Sequence, residues 1–183
     1  MATRVVQVLF VRHAIALERV DDVDPSIDDR RPLSDLGRHR MLCAARGIRM
    51  LVPRLTTLAS SPLVRAQETA AIVAAEYDGM SVITTPLLAP GAAVAPFAAW
   101  LAEQAGVVAN LTLAAIGHEP QLNRIIAELV GNAEFCCELK KGGARLLQFD
   151  GSPTNGGASV VWEQTPRALR SLGDSAMVPA SAE

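Results

Sequence analysis

Short apolar runs alternate along this chain with longer segments in which apolar residues recur at helical spacing. Val5–Val11 is rich in β-branched residues and almost uninterrupted, as is typical of a buried parallel strand. Similar runs predict five more strands: Leu55–Ser60, Ser81–Thr85, Leu111–Ile116, Ala144–Phe149 and Ala158–Trp162. The last two flank a turn rich in Gly, Pro and Asn, which predicts a pair of adjacent strands.

Helix signals lie between these runs. Ser34 is a predicted N-cap for a helix that ends at Pro53, and Ser61 with Pro62 predicts the start of a second helix, which runs to about Tyr77. The other predictions are a helix near Ala92–Ala105, a helix from Pro120 to about Gly131, and a polar, acidic surface loop over Ala14–Pro32.

The alternation of strands and helices predicts an α/β fold, a three-layer α/β/α sandwich with a largely parallel central sheet. The chain has 183 residues, a length that suits one domain, which we predict over residues 1–166. Residues 167–183 are small and polar, and are predicted to form a flexible C-terminal tail.

The charge and composition of the chain argue against several classes of partner. The net charge is -2 and the pI is ≈ 5.9, so neither a nucleic-acid face nor an anionic membrane partner is expected. Aromatic residues make up only 4% of the chain, which also argues against a surface on which bases stack.

The cysteines predict a reducing compartment. Cys43, Cys136 and Cys137 are odd in number and form no CxxC pair, so we expect reduced thiols in the cytoplasm, with no disulfide framework, metal site or cofactor. The apolar run at the N-terminus is short and ends in Arg12, which favours a strand over a signal peptide. No apolar stretch has the length needed to span a bilayer.

Charged residues follow three of the predicted strands. Arg12-His13, Arg65 and His118 each come shortly after a strand end, where open α/β sheets form their ligand crevices. Guanidinium groups bind phosphoryl oxygens in a bidentate manner, and a neutral imidazole is a nucleophile for phosphorus. Guanidinium charges nearby disfavour the imidazolium form of His13. His118 is expected to donate a hydrogen bond to the phosphoryl group. These residue types predict a phosphate site that contains a nucleophile.

The same segments carry a resemblance to a known family. Val11–Ala14, Ser60–Thr69 and Gly117-His118 resemble the three motifs of the histidine phosphatase superfamily, also called phosphoglycerate mutase-like. Within it, the chain looks most like the small phosphohistidine phosphatase (SixA-type) branch. The features that point to this branch are Arg31–Ser34 with Gly37, Gly117–Pro120, and Lys140–Gly143, and the resemblance covers Val5–Pro166.

The resemblance implies a phosphoglycerate mutase-like fold and a phosphatase that forms a covalent phospho-His13 intermediate. It implies that Arg12, Arg65 and His118 complete the phosphate pocket as catalytic and substrate-binding residues. Arg31 matches an arginine near the mouth of the site, and Glu119, beside His118, is assigned to substrate binding with it.

The chain departs from the family pattern in two ways. Ala14 replaces the usual glycine, which adds a methyl group where the backbone approaches phosphate. Larger members carry an acid after the third strand that protonates the leaving oxygen, whereas Leu87–Ala93 contains no carboxylate. A missing acid favours the labile P–N bond of phosphohistidine over an alkyl phosphate. The connection between the second helix and the fourth strand is also too short for a capping domain, so the crevice is expected to admit a phosphorylated protein.

Two alternatives stay open. One is a phosphomonoesterase of the same superfamily that acts on a small phosphate ester, with Glu119, Glu18 or Asp28 as the acid; a mutase, which needs an acid and a closed pocket, is weaker. The other is a non-catalytic module that binds phosphorylated partners. Four residues also have plain structural interpretations: Glu119 as a helix cap, His39 as solvated surface, and Lys140-Lys141 as a surface turn.

Overall fold

The computed structural model describes residues 5–19, 24–132, 134 and 138–175. Within them, six strands form one sheet in the order β3-β2-β4-β1-β5-β6. The strands are β1 (Val5–Arg12), β2 (Thr57–Ser60), β3 (Val82–Thr84), β4 (Thr112–Gly117), β5 (Ala144–Asp150) and β6 (Ala158–Gln164). The helices are α1 (Pro25–Asp29), α2 (Asp35–Leu51), α3 (Val64–Glu76), α4 (Val94–Val107), α5 (Gln121–Val130) and α6 (Pro166–Ser175), with a 3-10 turn at Pro86–Leu88.

The sheet is parallel over its first four strands. β4 pairs in parallel with both β1 and β2, and β2 pairs in parallel with β3. β5 then runs antiparallel to β1, and β6 antiparallel to β5. The largely parallel sheet and the final strand pair are therefore confirmed.

Helices cover both faces of this sheet because the side chains of its central strands are apolar on both sides. In β1, Leu9 and Val11 pack in a buried cluster with α2, α3 and α6. Val8 and Phe10, which alternate with them, pack in a second cluster with α4 and α5. All four side chains are fully buried. The predicted three-layer α/β/α sandwich is confirmed.

The start of α3 differs from the prediction. The helix begins at Val64 with Leu63 as its N-cap, so Ser61 and Pro62 lie before it. The Ser61 hydroxyl does accept the Leu63 amide proton, but it also contacts His118, which holds it at the end of β2. A serine followed by proline carries the same sequence signal whether it caps a helix or belongs to a site.

The loop predicted over Ala14–Pro32 contains one short helix, α1. Asp24 caps it by accepting the Ser26 amide proton, and Pro25 occupies its first turn. The strong N-cap and the proline account for the helical turn in an otherwise polar segment.

The prediction of a flexible tail is wrong for residues 167–175, which form most of α6. This helix packs against α2 with Leu169 fully buried. A Cβ on Gly173 would lie 1.9 Å from the Cys43 carbonyl oxygen, and one on Gly47 would lie 2.0 Å from that of Leu169. The two helices therefore approach backbone to backbone, and the small residues that suggested fraying form the contact. The single domain over residues 1–166 stays a prediction.

Three further predictions concern cysteines, metals and membranes. Cys43 is a half-buried free thiol whose pKa is raised by burial, whereas Cys136 and Cys137 lie outside the described residues. Among the residues described, no group of three or more His, Cys, Asp and Glu side chains is placed to hold a metal ion. The helices in this part of the chain all lack the length and hydropathy that crossing a membrane requires.

Candidate active site

The predicted site residues meet where three neighbouring strands end. β2, β4 and β1 are adjacent and parallel, with Arg12 in register with Gly117 and Ser60 with Ile116. The residues that follow these strands thus share one edge of the sheet. The His13 amide donates to the Gly117 carbonyl at 3.0 Å, which fixes the chain as it leaves β1.

His13 is held in one orientation by its own backbone. Its Nδ1 lies 2.7 Å from the Ala14 carbonyl oxygen. Because a carbonyl only accepts, Nδ1 carries the proton of the neutral ring and Nε2 carries the lone pair. Burial lowers the pKa of His13 to about 3, against the opposing hydrogen bond to Ala14, and the charges of Arg65, Arg12 and Lys141 lower it further. The imidazole is therefore neutral at physiological pH. The sequence argument credited the arginines, whereas burial is the larger cause.

His118 lies beside His13, with the two ring centroids 5.0 Å apart. Its Nε2 is 2.8 Å from the Ser61 hydroxyl, while its Nδ1 is buried and has no hydrogen-bond partner. Burial lowers the pKa of His118 to about 2, with further contributions from His13 and nearby arginines. His118 is thus a neutral ring with one anchored nitrogen and one free nitrogen.

Arg12, like His118, has one nitrogen that is hydrogen-bonded to the protein and one that has no partner. Its Nη1 donates to the Leu139 carbonyl at 2.7 Å, and its Nε is buried without a partner. Leu139 is fixed in turn by Glu119, whose Oε1 accepts the Leu139 amide proton at 2.8 Å.

Arg65 is buried in the first turn of α3 and is held by Asp28 across the cleft. Its Nη1 donates to the Asp28 carbonyl at 2.7 Å, and its Nη2 lies 3.2 Å from Asp28 Oδ2. Its Nε, like that of Arg12, is buried and has no partner. Burial lowers the pKa of Arg65, and the Asp28 carboxylate opposes that effect.

Three buried nitrogens of the cleft residues therefore have no hydrogen-bond partner: Arg12 Nε, Arg65 Nε and His118 Nδ1. Leaving a buried donor without a partner destabilises a protein by about 1–3 kcal/mol, and more when the group is charged. Such groups are uncommon in folded proteins and call for a functional explanation. Donors of this kind around the free Nε2 of His13 fit an anionic ligand.

These side chains line a cleft of about 840 Å³. All six predicted site residues contribute to its wall: Arg12, His13, Arg31, Arg65, His118 and Glu119. The structure therefore brings together every residue that the sequence assigned to the site.

Arg31 and Glu119 line the cleft but are engaged with the protein. Arg31 donates from Nε to Asp28 at 2.9 Å and from Nη1 to the Leu17 carbonyl at 2.7 Å. The Glu119 carboxylate accepts from the amides of Leu139 and Asn123, the second of which lies in α5. The bond from Asn123 places the Glu119 carboxylate at the first turn of α5, where the helix-cap interpretation expected it. Burial raises the pKa of Glu119, although these two hydrogen bonds oppose the rise.

Sequence reasoning missed three contributors to the site. Ser61 was interpreted as a helix cap, and Lys141 as part of a surface turn, although it lines the cleft and its charge acts on His13. Asp28 was considered only as a possible acid, with no sign that it would contact Arg65, 37 residues away. The Lys140–Gly143 motif was the one signal for Lys141.

Ala14 packs in the core and does not line the described cleft. The residue is buried in the cluster shared with α2 and α3. Its amide donates to the Thr69 hydroxyl at 3.1 Å, while its carbonyl accepts a hydrogen bond from His13 Nδ1. The methyl group in place of the usual glycine hydrogen is therefore accommodated by core packing.

Comparison with known proteins agrees with this geometry. Residues 8–89 match the family model of the histidine phosphatase superfamily (branch 1). The chain is also 32% identical over 138 residues to an uncharacterized protein of Picosynechococcus sp., a match that covers 75% of this chain and 81% of that protein. The chain belongs to the histidine phosphatase superfamily. It is therefore an enzyme of the phosphatase class, as the resemblance implied.

Solved structures of phosphatases share the fold of this chain. One is the protein histidine phosphatase SixA complexed with tungstate, which is 23% identical, with a TM-score of 0.75 over 89% of this chain and 99% of that chain. Another is a mycobacterial glucosyl-3-phosphoglycerate phosphatase, which is 17% identical, with a TM-score of 0.65 over 88% of this chain and 100% of that chain. The predicted phosphoglycerate mutase-like fold is confirmed. Because these two proteins differ in substrate, the fold by itself does not select one.

Proposed function

We propose that this protein is a SixA-type phosphohistidine phosphatase, which removes the phosphoryl group from a histidine of a partner protein through a phospho-His13 intermediate. One observation carries the proposal: Arg12 Nε, Arg65 Nε and His118 Nδ1 are buried, unpartnered donors beside a neutral His13. Together they supply three hydrogen bonds to the non-bridging oxygens of a phosphoryl group, where charge is spread in the transition state.

In the first step, the lone pair on His13 Nε2 attacks phosphorus and the P–N bond of the substrate breaks. The bonding pair goes to the leaving imidazole nitrogen, which takes up a proton from solvent. The His13 Nδ1–H···O=C bond to Ala14 stabilises the positive charge that develops on the ring as it is phosphorylated. In the second step, water attacks phospho-His13, releases inorganic phosphate and restores the free Nε2.

His118 serves as a hydrogen-bond donor in both steps. Ser61 Oγ accepts from the Leu63 amide and lies 2.8 Å from His118 Nε2, and we assign the hydroxyl proton to the bond with that nitrogen. With Nε2 accepting, the proton of the neutral ring lies on Nδ1 and is directed to the phosphoryl oxygen.

Of the four carboxylates that line the described cleft wall, Glu18 and Asp29 are exposed to solvent, and the two half-buried ones, Glu119 and Asp28, are engaged with the protein. Both Glu119 oxygens accept backbone amide protons, and Asp28 is paired with arginines, so neither is free to donate a proton to a leaving group. Leu87–Ala93 holds no carboxylate. An imidazole leaves without a dedicated acid far more readily than an alkoxide does. The similarity to a protein histidine phosphatase in complex with tungstate, an anion with phosphate-like geometry, agrees with this choice.

A small-molecule phosphomonoesterase is the second candidate, and Glu119 is the observation that favours it. Burial raises the pKa of this carboxyl group, and the residue lines the cleft beside His118. An acid at this position would allow the cleavage of alkyl phosphates. Glu119 would first have to break its hydrogen bond to the Leu139 or the Asn123 amide.

Trapping the intermediate tests the proposal. The full chain is mixed with a protein carrying radiolabelled phosphohistidine, quenched within milliseconds to seconds, and the acid-labile label is mapped. We expect label on His13 and faster turnover of phosphohistidine than of sugar or nucleotide monophosphates. The matched control is His39→Ala, which removes an exposed histidine from α2 and should leave labelling unchanged. Full activity of His13→Ala would exclude the covalent mechanism, and a strong preference for an alkyl phosphate would favour the phosphomonoesterase.

A further inference from the structure

Asp28, in the short helix α1, holds Arg65 with its main chain and its side chain together. The Asp28 carbonyl accepts from Arg65 Nη1 at 2.7 Å, and the carboxylate lies 3.2 Å from Nη2. The remaining nitrogen of the guanidinium group, Nε, is the buried donor without a partner. A two-point contact at the terminal nitrogens fixes the plane of the guanidinium group, and with it the direction in which the Nε–H bond points.

The Asp28 carboxylate is itself fixed by other arginines. Its Oδ1 accepts from Arg31 Nε at 2.9 Å and lies 3.9 Å from Arg19 Nε. Arg31 is held further by the Leu17 carbonyl. Partial burial raises the pKa of Asp28, but the hydrogen bond from Arg31 and the charges of Arg65, Arg31 and Arg19 outweigh it, so the pKa lies below its usual value. Asp28 is consequently an ionised and immobilised group at neutral pH.

We propose that Asp28 is a positioning residue for Arg65: it binds the terminal nitrogens so that Nε faces the phosphoryl group. This inference rests on the proposed function, because it concerns the same phosphate pocket. It gives the carboxylate a role different from the proton donor that a phosphomonoesterase would need. It also explains why a negative charge is retained beside a pocket for an anion.

The electrostatic argument makes the proposal sharply testable, because two effects of Asp28 on phosphate binding have opposite signs. As a nearby negative charge, the carboxylate repels the phosphoryl group, so its removal alone would tighten anion binding. As a positioning group, it orients a donor, so its removal would weaken binding. Asp29→Asn reports the first effect alone, since Asp29 is the exposed neighbour in the same helix and carries the same charge.

The decisive experiment is calorimetric titration of the full chain with inorganic phosphate. We expect Asp28→Asn to bind phosphate roughly tenfold more weakly than wild type, the loss of one charge-assisted hydrogen bond. Asp29→Asn should bind phosphate as tightly as wild type, or slightly more tightly. Tighter binding by Asp28→Asn would overturn the proposal, since it would mean that the carboxylate acts only as a competing charge. Thermal unfolding of each variant establishes that the fold is retained.

Two activity measurements separate positioning from proton donation and from a general structural effect. If Asp28 positions Arg65, Asp28→Asn should reduce kcat/KM by the same factor for phosphohistidine and for an alkyl phosphate. A loss confined to the alkyl phosphate would overturn the proposal in favour of an acid. In an Arg65→Lys background the effect of Asp28→Asn should disappear, and a persistent effect would contradict action through Arg65. A wild-type protein without phosphatase activity would refute the proposed function, whereas the phosphate titration would still test the role of Asp28.

Discussion

The two histidines of the cleft are the same residue type in almost the same place, yet their surroundings prepare them for different tasks. Each follows a parallel strand, each is buried, and their ring centroids are 5.0 Å apart. His13 uses Nδ1 on a backbone carbonyl, which leaves Nε2 free as a nucleophile. His118 uses Nε2 on the Ser61 hydroxyl, which leaves Nδ1 free. In each ring, one nitrogen is anchored to the protein by a hydrogen bond, and the other nitrogen is left for the phosphoryl group.

The largest effects on kcat are expected when each imidazole ring is removed in turn. His13→Ala should lose the phosphoenzyme and reduce kcat by about 10⁴-fold or more, since the attacking nitrogen itself is removed. His118→Ala should reduce kcat by roughly 10²–10³-fold, the effect of removing one donor to a developing charge, while label still accumulates on His13. Rapid-quench labelling alongside steady-state kinetics measures both. Equal losses with no label in either variant would contradict the division of roles.

Removing the Ser61 hydroxyl tests the anchor of His118 without removing the ring. Ser61→Ala leaves His118 Nε2 without its partner, so the Nδ1–H tautomer loses its preference. We expect kcat to fall roughly tenfold, in line with one lost hydrogen bond in a buried network.

The matched control is Ser60→Ala, which removes a buried hydroxyl from the preceding residue. Ser60 donates to the Ser61 carbonyl rather than to a ring, so its loss should change kcat by less than about twofold. A similar fall in both variants would point to a disturbed strand end instead of a changed tautomer.

The sequence predicted the meeting of the two histidines for a physical reason. Parallel strands of one sheet end at one edge, so residues that directly follow them become neighbours, as His13 and His118 do. The apolar runs and helix signals likewise predicted the sandwich, because burial on both faces of a strand is visible in the sequence itself.

The features that the sequence did not predict depend on contacts between distant residues. His118 is anchored by Ser61, 57 residues away, and nothing in a serine before a proline distinguishes that role from helix capping. Asp28 reaches Arg65, 37 residues away in the chain, through a contact between α1 and the first turn of α3. α6 carries little apolar signal, since part of its contact with α2 is made through the backbone at Gly47 and Gly173. Patterns of single residues do not contain such pairings.

An effect on stability in acid, rather than on catalysis, tests what the two rings share. Their folded-state pKa values are about 3 for His13 and about 2 for His118, below the ordinary histidine value of 6.5, so the unfolded chain binds protons that the folded one does not. The free energy of unfolding should therefore fall as pH drops from about 6.5 towards 3, with each ring contributing up to about 1.4 kcal/mol per pH unit. The stability provided by the neutral rings is fully present above pH 6.5.

Urea unfolding between pH 7 and pH 4 measures this slope. Replacing His118 with Asn should reduce the slope, because one of the two groups that resist protonation is gone. His39→Asn is the matched control, since it removes a histidine that is exposed on α2 and lies outside the cleft. Repeating the titration in saturating inorganic phosphate sharpens the comparison: the anion favours imidazolium rings beside it, so the slope should become shallower in wild type. If His118→Asn and His39→Asn gave identical slopes, burial of the cleft histidines as neutral rings would be wrong.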